Sequence, residues 1–560
     1  MTTMPTIPEA LALALQQHQS GQLPAAESIC RQILEVEPAH AEALHLLEVI
    51  NAPPGAQQLA IDSIYRNLTA KPGWAEIQFN LANTLRQQGN LDDAIACYRR
   101  ALEAKPDFID ALNNLGIALR LRGNLVEAAA CYRRGLELNP GHASMHYNLA
   151  IALQQQGELE QAITSYRRAL LLNPGHLNAH INLGAAMQRQ GNLEEAIACY
   201  RRALELKPDF ADAHNNLGVA LKDRGELAEA IACYRRALDL KPDYVDAYSN
   251  LGSALRDQGK LDESVVCFRR ALELKPDLVT ALSFLVHDLQ HLCCWEELNE
   301  LSRRMIEFVE RDADGGTALP VSPFYFLALP MITTPAQQLR CARRWVEHQL
   351  KAKSETGRNL ARKQAADRKI TIGYLSADFH AHATAWLIAE LIEKHDRDRF
   401  AVFGYSYGPD DGSPTRRRLV SGFDRFVDVK AASFVDAARR IAADDVDILI
   451  DLKGYTQNTR TEILALRTAP LQVNYLGYPG TMGAPFMDYI LVDEFIVPPE
   501  QQPFFTEKLV HLPGCYQVND SQREISKQTP SRAACGLPER GFVFCSFNNG
   551  YKITPEMFDV

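Results

Sequence analysis

The sequence lacks the features of a membrane-spanning, secreted or nucleic-acid-binding protein. No apolar stretch approaches the roughly 20 residues that a helix needs to cross a bilayer, and residues 1–10 show no basic segment followed by an apolar one, as a secretory signal would. Basic residues are in the minority, with 59 Lys and Arg against 69 Asp and Glu. Nucleic-acid binding needs clustered cations, so we predict neither a membrane nor a nucleic acid as a partner.

Cysteine is also scarce, and its twelve occurrences include no Cys-x-x-Cys pair. Five cysteines share one position of a repeat, where Ser165 stands once instead, which indicates a small packing site rather than a metal ligand. Cys293 and Cys294 are predicted to pack within a helix. Reduced thiols of this kind predict a cytoplasmic protein. The recurring cysteines are Cys97, Cys131, Cys199, Cys233 and Cys267.

A 34-residue repeat fills the first half of the 560-residue chain. In one unit, Leu112, Leu115 and Leu119 line a face of a first helix, Gly123 ends that helix, and Pro140 ends the second. No single unit can bury its apolar face, so the units must stack. The prolines that mark the period are Pro38, Pro72, Pro106, Pro140, Pro174, Pro208, Pro242 and Pro276.

These units resemble tetratricopeptide repeats, most clearly from Trp74 to Leu282. We predict an α-superhelix over residues 1–282, with one degenerate unit near residues 52–70. Small residues on the first helices are expected to let the two helices of a unit approach closely. They are Gly116, Gly184, Gly218 and Gly252, with Ala150 in one unit.

Asparagine recurs on the first helices at a position where packing does not require a polar residue. An Asn amide can donate to and accept from a peptide backbone at the same time. The ladder is therefore predicted to bind extended Ser/Thr-containing polypeptides in the repeat groove. The alternative is hydrogen bonding from helix to helix within the array. The ladder consists of Asn80, Asn114, Asn148, Asn182, Asn216 and Asn250.

The repeat pattern ends after Pro276. Residues 283–368 are predicted to be a helical connector and linker, with helices at His287–Val309 and Ala336–Lys353 and a loop at Asp312–Thr317. From residue 369, short apolar runs alternate with helical segments, which is typical of a parallel sheet covered on both faces. The predicted strands are Ile370–Ser376, Phe400–Ser406, Phe426–Val429, Val446–Leu452, Leu471–Leu476, Tyr489–Val492 and Lys508–Leu512.

Ligands of such sheets lie at the carboxyl ends of the strands. Asp378, His380 and His382 follow the first strand at the start of a helix, and they form a candidate acid/base site. The alternatives are a helix cap for Asp378 and an ordinary surface histidine for His382. Two later strands are followed by Gly454–Thr456 and Leu476–Thr481, whose glycines permit close approach to a ligand.

A tetratricopeptide array joined to these loops resembles the O-linked N-acetylglucosamine transferases and their SPINDLY-type relatives (glycosyltransferase family 41), in a bacterial form. The strings that carry the resemblance are Gly373–Phe379 with His382 and Thr384, Lys453–Thr456, Leu476–Thr481 with Phe486–Tyr489, and Phe547–Asn548 with Tyr551–Ile553.

The resemblance implies an inverting, metal-independent GT-B enzyme of two Rossmann-like lobes, without a cofactor. Such an enzyme moves N-acetylglucosamine from UDP-GlcNAc to Ser or Thr hydroxyls of intracellular proteins. One alternative is O-fucosyl transfer from GDP-fucose, as in the SPINDLY branch. An alternative of another class is a polypeptide-binding scaffold with an inactive lobe. The oligomeric state stays open, with a homodimer as one option.

The resemblance also implies residue roles. His382 matches the histidine once favoured as general base, and Asp378 matches the acidic residue beside it. Lys552 matches the lysine that neutralises the donor diphosphate, and Asn549 stands where animal members carry Gln. The edge of the sugar pocket is matched by Thr384, Thr456, Leu476, Gly477 and Pro479.

The sequence departs from the family pattern at several positions. Ala381 and Ala383 replace the Asn and Pro that flank the family histidine, and Phe324 replaces a histidine of animal members. Asp410-Asp411, the nearest approach to a metal-binding DxD pair, is predicted to be a turn.

Two lobes are expected to follow the connector. Residues 369–538 form the first Rossmann-like lobe, and residues 539–560, with a strand at Gly541–Phe547, begin the second. Most of the second lobe is then absent, so we expect that this chain does not turn over alone.

Overall fold

The protein is described by a computed structural model, in which two compact units span Met1–Pro242 and Asp243–Val560. Within the described residues, no helix is both long and apolar enough to cross a membrane. The predictions for residues 52–70, 312–317, 350–367 and 542–560 fall outside the described residues. The structure describes residues 6–19, 21–38, 40–50, 73–311, 320–330, 333–349, 368–523 and 530–541.

The first unit is built from pairs of helices that follow the 34-residue period, which confirms the tetratricopeptide architecture. Its helices are α1 (Ile7–Gln19), α2 (Leu23–Val36), α3 (Ala41–Ile50), α4 (Trp74–Gln87), α5 (Leu91–Ala104), α6 (Ile109–Leu121), α7 (Leu125–Leu138), α8 (Ala143–Gln156), α9 (Leu159–Leu172), α10 (Leu177–Gln190), α11 (Leu193–Leu206), α12 (Ala211–Arg224) and α13 (Leu227–Leu240).

In three repeats of this unit, a glycine on the first helix packs against a tyrosine ring on the second. A Cβ atom at Gly184 would lie 2.7 Å from the ring of Tyr200, which is only 1% exposed. Gly116 and Gly218 meet the tyrosines sixteen residues later in the same way. The predicted close approach of the two helices is confirmed. Gly191 ends its helix with a φ of +86°, a conformation that glycine adopts without strain.

Changing Gly184 to valine is expected to lower the free energy of unfolding by about 1–3 kcal/mol, because the new side chain must displace the buried Tyr200 ring. Thermal unfolding measures this loss. Gly175→Val in the exposed turn of the neighbouring repeat is the control, since a Cβ there makes only an ordinary contact at 3.6 Å. Equal melting temperatures for the two variants would contradict the expectation.

The second unit starts with further helix pairs and short connector helices. Its first helices are α14 (Val245–Asp257), α15 (Leu261–Leu274), α16 (Val279–His291), α17 (Leu298–Glu310), α18 (Pro323–Leu327) and α19 (Pro335–Gln349).

The predicted continuous helix over His287–Val309 is wrong, because the chain turns between α16 and α17. Cys293 has a φ of +54° and stands 34 residues after Gly259, so it occupies the place of the helix-ending glycine. Cys294 is exposed. The two cysteines therefore lie in a turn and do not pack within a helix as predicted.

A seven-stranded parallel sheet forms the rest of the unit, in the order β3-β2-β1-β4-β5-β6-β7. All seven predicted strands are confirmed, and their ends differ by at most two residues. The strands are β1 (Ile370–Ser376), β2 (Phe400–Ser406), β3 (Arg425–Asp428), β4 (Ile448–Asp451), β5 (Leu471–Tyr475), β6 (Tyr489–Val492) and β7 (Lys508–His511). The helices of the lobe are α20 (Ala383–Glu393), α21 (Pro414–Gly422), α22 (Phe434–Ala443) and α23 (Thr461–Ala465).

The strand order reverses direction between β1 and β4. From β1 the chain proceeds to β2 and β3 on one side, and β4 then starts the other side, so that Leu375 is paired with both Tyr405 and Asp451. A crevice opens at such a switch point, outside the carboxyl ends of the two neighbouring strands. This topology makes the residues that follow β1 and β4 the first candidates for a site.

Apolar side chains cover both faces of the sheet. Tyr374 packs in one layer and its neighbour Leu375 in the other, which explains the continuous apolar runs of the strands. The short helix α18 joins this lobe to the preceding helices, because Phe324 packs against the core of the lobe while Phe326 is buried in the core of the helices. Phe324 is therefore a packing residue.

Candidate functional site

A buried ion pair lies where the carboxyl ends of β1 and β4 meet. The Nζ atom of Lys453 is 3.0 Å and 2.9 Å from the two carboxylate oxygens of Asp378, and both residues are 6% exposed. Lys453 begins the motif Lys453–Thr456, and its residue type alone predicts no role for it there. Its position directly after β4, at the switch point, is the signal that could have identified it.

His382 stands at the entrance of α20, next to this pair. Its Nδ1 atom accepts a hydrogen bond of 3.2 Å from the backbone N–H of Thr384 and lies 3.6 Å from a carboxylate oxygen of Asp378. His382 is thus the N-cap of the helix, and the alternative of a helix cap for Asp378 is wrong. The imidazole is 41% exposed, so it remains accessible to a reacting group.

Burial lowers the pKa of His382 from its usual value. The Asp378 carboxylate opposes this effect, while Lys453 and His380 add to it. The imidazole is therefore neutral around neutral pH, and the neutral form is the one that can accept a proton.

Two glycines allow the strand-end loops to touch. A Cβ atom at Gly408, after β2, would overlap the carbonyl oxygen of Ala377, and one at Gly477, after β5, would overlap that of Leu452. Ala377 precedes Asp378 and Leu452 precedes Lys453, so these contacts support both partners of the ion pair from outside. The loops after β1, β2, β4 and β5 form one continuous cluster.

The turn after β5 has a strained backbone. Leu476 has a φ of +72°, and the N–H of Gly477 donates to the carbonyl oxygen of Tyr475 at 2.9 Å, as in a γ-turn. Strain of this kind persists where the surroundings enforce it, often at functional sites. Tyr478 is buried against Gly454 of the loop after β4.

The predicted pocket residues of this lobe lie on these loops. Thr456 donates through Oγ1 to the carbonyl oxygen of Lys453 at 2.8 Å, and Thr384 is buried in the first turn of α20. Leu476, Gly477 and Pro479 form the turn that reaches the Lys453 segment. Whether these residues contact a sugar stays a prediction, and Asn549 and Lys552 lie outside the described residues.

The predicted turn at Asp410-Asp411 is confirmed. The Asp411 carboxylate accepts hydrogen bonds from the backbone N–H groups of Ser413 at 3.1 Å and Ala381 at 2.8 Å. These backbone donors lower the pKa of Asp411 to about 2. Asp411 thereby anchors the loop that carries His382.

The asparagine ladder takes part in bonds between repeats. Three of its amides donate to a side chain on the first helix of the preceding repeat, which is the alternative raised by the sequence. An amide has a second N–H and a carbonyl oxygen, so polypeptide binding by the ladder stays a prediction. The donor and acceptor pairs are Asn114–Asn83 (2.8 Å), Asn148–Asn113 (2.9 Å) and Asn182–Tyr147 (3.2 Å).

Comparison with protein families places two kinds of domain on the chain. Residues 292–529 match the model of glycosyl transferase family 41. Tetratricopeptide repeat models match residues 79–143, 131–164, 153–191, 189–223, 220–255 and 245–278.

Two curated relatives come from Arabidopsis thaliana. The probable UDP-N-acetylglucosamine–peptide N-acetylglucosaminyltransferase SEC is 35% identical over 286 residues, which cover 49% of this chain and 29% of the relative. The corresponding probable transferase SPINDLY is 34% identical over 198 residues, which cover 35% of this chain and 21% of the relative. The chain thus spans less than a third of the length of these relatives.

Among solved structures, this chain is similar to a mutant O-GlcNAc transferase from Thermobaculum terrenum. The two are 24% identical with a TM-score of 0.42, and the match covers 68% of this chain and 65% of that one. The sequence matches and the fold described above agree on the identity of the two parts. The chain carries a tetratricopeptide repeat array followed by a domain of glycosyl transferase family 41, and it is homologous to the O-GlcNAc transferases of the SEC and SPINDLY type.

Proposed function

We propose that the protein transfers N-acetylglucosamine from UDP-GlcNAc to Ser or Thr hydroxyls of polypeptides, with inversion and without a metal ion. The observation that carries this proposal is the cluster of His382, Asp378 and Lys453 at the switch point of a family 41 domain. The names of the Arabidopsis relatives, which are probable UDP-N-acetylglucosamine–peptide transferases, support the donor and the acceptor class.

The chemistry needs a proton acceptor beside the sugar. As the acceptor hydroxyl attacks the anomeric carbon, a carbon–oxygen bond forms, the bond to the diphosphate breaks, and the hydroxyl proton must leave. His382 is accessible and its pKa is lowered, and in this role its ring proton lies on Nδ1, 3.6 Å from Asp378, so that Nε2 accepts the proton. Nδ1 then no longer accepts from the Thr384 N–H. The departing diphosphate gains negative charge, and in the proposed reaction Lys552 stabilises that charge.

In the proposed reaction the repeats present the acceptor polypeptide, in a reducing intracellular compartment. No disulfide joins the cysteines of the described residues. The asparagine ladder offers donors and acceptors at a constant spacing along the first helices, which suits a peptide backbone independently of its sequence.

Changing Asn148 and Asn182 together to alanine is expected to weaken transfer to protein acceptors several-fold more than transfer to short peptides, since only long acceptors reach the array. The apparent KM for each acceptor class measures this difference. Asn139 and Asn173 provide a matched control pair, because their side chains bond to the backbone N–H of Gly141 and Gly175 in turns of the same array. Equal losses for both acceptor classes would make the ladder structural.

Incubation of the full-length protein with labelled UDP- and GDP-sugars and a peptide pool tests the proposed function. Incorporation of N-acetylglucosamine from UDP-GlcNAc is the expected result. Incorporation of fucose from GDP-fucose would replace it with the SPINDLY-type alternative. Peptide binding without incorporation or hydrolysis of any donor would instead identify a scaffold.

A further inference from the structure

Lys453 is an unusual residue at its place, because a lysine side chain is seldom buried unless it is paired. Its ammonium group donates to both carboxylate oxygens of Asp378 at 3.0 Å and 2.9 Å. The two residues are 75 positions apart in the chain and meet only because β1 and β4 are neighbours. The ion pair therefore fixes the carboxylate of Asp378 at the centre of the switch point.

The backbone around Lys453 is fixed as well. Its N–H donates to one oxygen of Asp451 at 3.2 Å, and the N–H of Gly454 donates to the other at 2.8 Å. Burial raises the pKa of Asp451 to about 7, against the effect of these donors and of Lys453. Lys453 therefore contacts two carboxyl groups: its ammonium group donates to Asp378, and its backbone N–H donates to Asp451.

Such an arrangement has two consequences for His382. Asp378, bonded through both oxygens, is held in one orientation, with an oxygen 3.6 Å from Nδ1 of the imidazole. A carboxylate alone at this distance would favour the protonated imidazolium. The ammonium group of Lys453 offsets part of that charge and so acts in the same direction as burial, which lowers the pKa of the imidazole.

We infer that Lys453 is a positioning residue for the proposed transfer: it holds Asp378 against His382 and offsets part of its charge, which favours an imidazole that can receive the acceptor proton. This inference rests on the proposed function for its catalytic meaning. The titratable and charged groups that face His382 and the ion pair are Asp378, Lys453, His380, Asp451 and Tyr407.

Titration of His382 by NMR, on this chain with labelled histidine, tests the inference without a donor sugar. In Lys453→Met the His382 ring is expected to titrate about one pH unit higher, because the carboxylate of Asp378 is no longer offset. In the double variant Lys453→Met with Asp378→Asn both charges are gone, and the titration is expected to return toward that of the unchanged chain. The signal is assigned by its loss in His382→Gln.

A lysine at the other end of α20, the helix that His382 caps, controls for a general loss of positive charge. Lys394→Met, at the far end of α20, removes one partner of Glu390, which keeps its bonds to Ser521, and is expected to leave the His382 titration unchanged. If Lys453→Met fails to fold, the double variant still tests the inference, since it leaves no unpaired buried charge. A His382 titration that does not rise in a folded Lys453→Met protein would overturn the inference, as would a large shift in the double variant.

Transfer kinetics of the full-length protein separate this inference from the proposed function. Lys453→Met is expected to move the acid limb of the kcat profile upward by the same pH interval, and Lys453→Arg to recover part of the original profile. Absence of transfer by the unchanged protein refutes the proposed function, while the NMR result still decides whether Lys453 sets the state of His382. Transfer with an unmoved pH profile in Lys453→Met would overturn the positioning role.

Discussion

Replacing His382 with alanine is expected to lower the rate of glycosyl transfer by about two to four orders of magnitude, which is the usual contribution of a general base. His382 lies 3.6 Å from the Asp378 carboxylate, and burial lowers its pKa, so it is oriented and neutral. Without it, the acceptor hydroxyl would have to lose its proton to water. The measurement is kcat with a saturating peptide acceptor.

The alanine variant alone does not separate catalysis from folding, because His382 also caps α20 through the N–H of Thr384. His382→Asn resolves this, since asparagine is among the best N-cap residues but is not a base at neutral pH. We expect the asparagine variant to melt like the unchanged protein and to be as inactive as the alanine variant. Recovery of transfer in His382→Asn would show that the cap is what the reaction needs.

The pH dependence of the unchanged protein should agree with this role. A base whose pKa is lowered by burial stays active to lower pH than a free histidine would, so the acid limb of kcat is expected below pH 6.5, the usual pKa of the group. An acid limb above that value would be inconsistent with a neutral, offset imidazole.

The elements of the lobe are predictable from the sequence because its strands are apolar on both faces and are separated by polar loops. The repeats are predictable because their helix-ending glycines and their rings recur with a period of 34 residues. The helix break at Cys293 was missed, because a cysteine stands there. In the repeats before it, from Gly89 to Gly259, a glycine lies between the first and the second helix. A positive φ at a cysteine has no sequence signal of its own, because among residues other than glycine it is mainly Asn and Asp that favour this conformation.

The site itself was only partly predictable. Asp378 and His382 are four residues apart, so their proximity follows from the chain. The partnership of Asp378 with Lys453 depends on which strands become neighbours, and neither alternation nor composition determines that order. The same holds for the asparagine ladder, because its acceptors lie 31 to 35 residues earlier and become visible only in stacked helices.

The second large effect on kcat is expected from Gly408→Ala, which adds a single methyl group next to the loop that carries Asp378. In Gly408→Ala the new Cβ must occupy the place of the carbonyl oxygen of Ala377, and a backbone atom cannot yield as a flexible side chain does. The loop that carries Asp378 and His382 must then shift. A displacement of about 1 Å at a reacting group can cost roughly a hundredfold in rate, so we expect kcat to fall by about that factor.

The measurement that distinguishes this effect from general destabilisation is a comparison of kcat and melting temperature across three glycine variants. Gly477→Ala pushes against Leu452, next to Lys453, and should resemble Gly408→Ala although it acts from the other side of the ion pair. Gly422→Ala, where a Cβ meets only ordinary contacts at 3.6 Å, should retain activity. If Gly408→Ala and Gly422→Ala retain the same kcat, then the strand-end loops tolerate displacement, and the positions of Asp378 and His382 are not what limits the reaction.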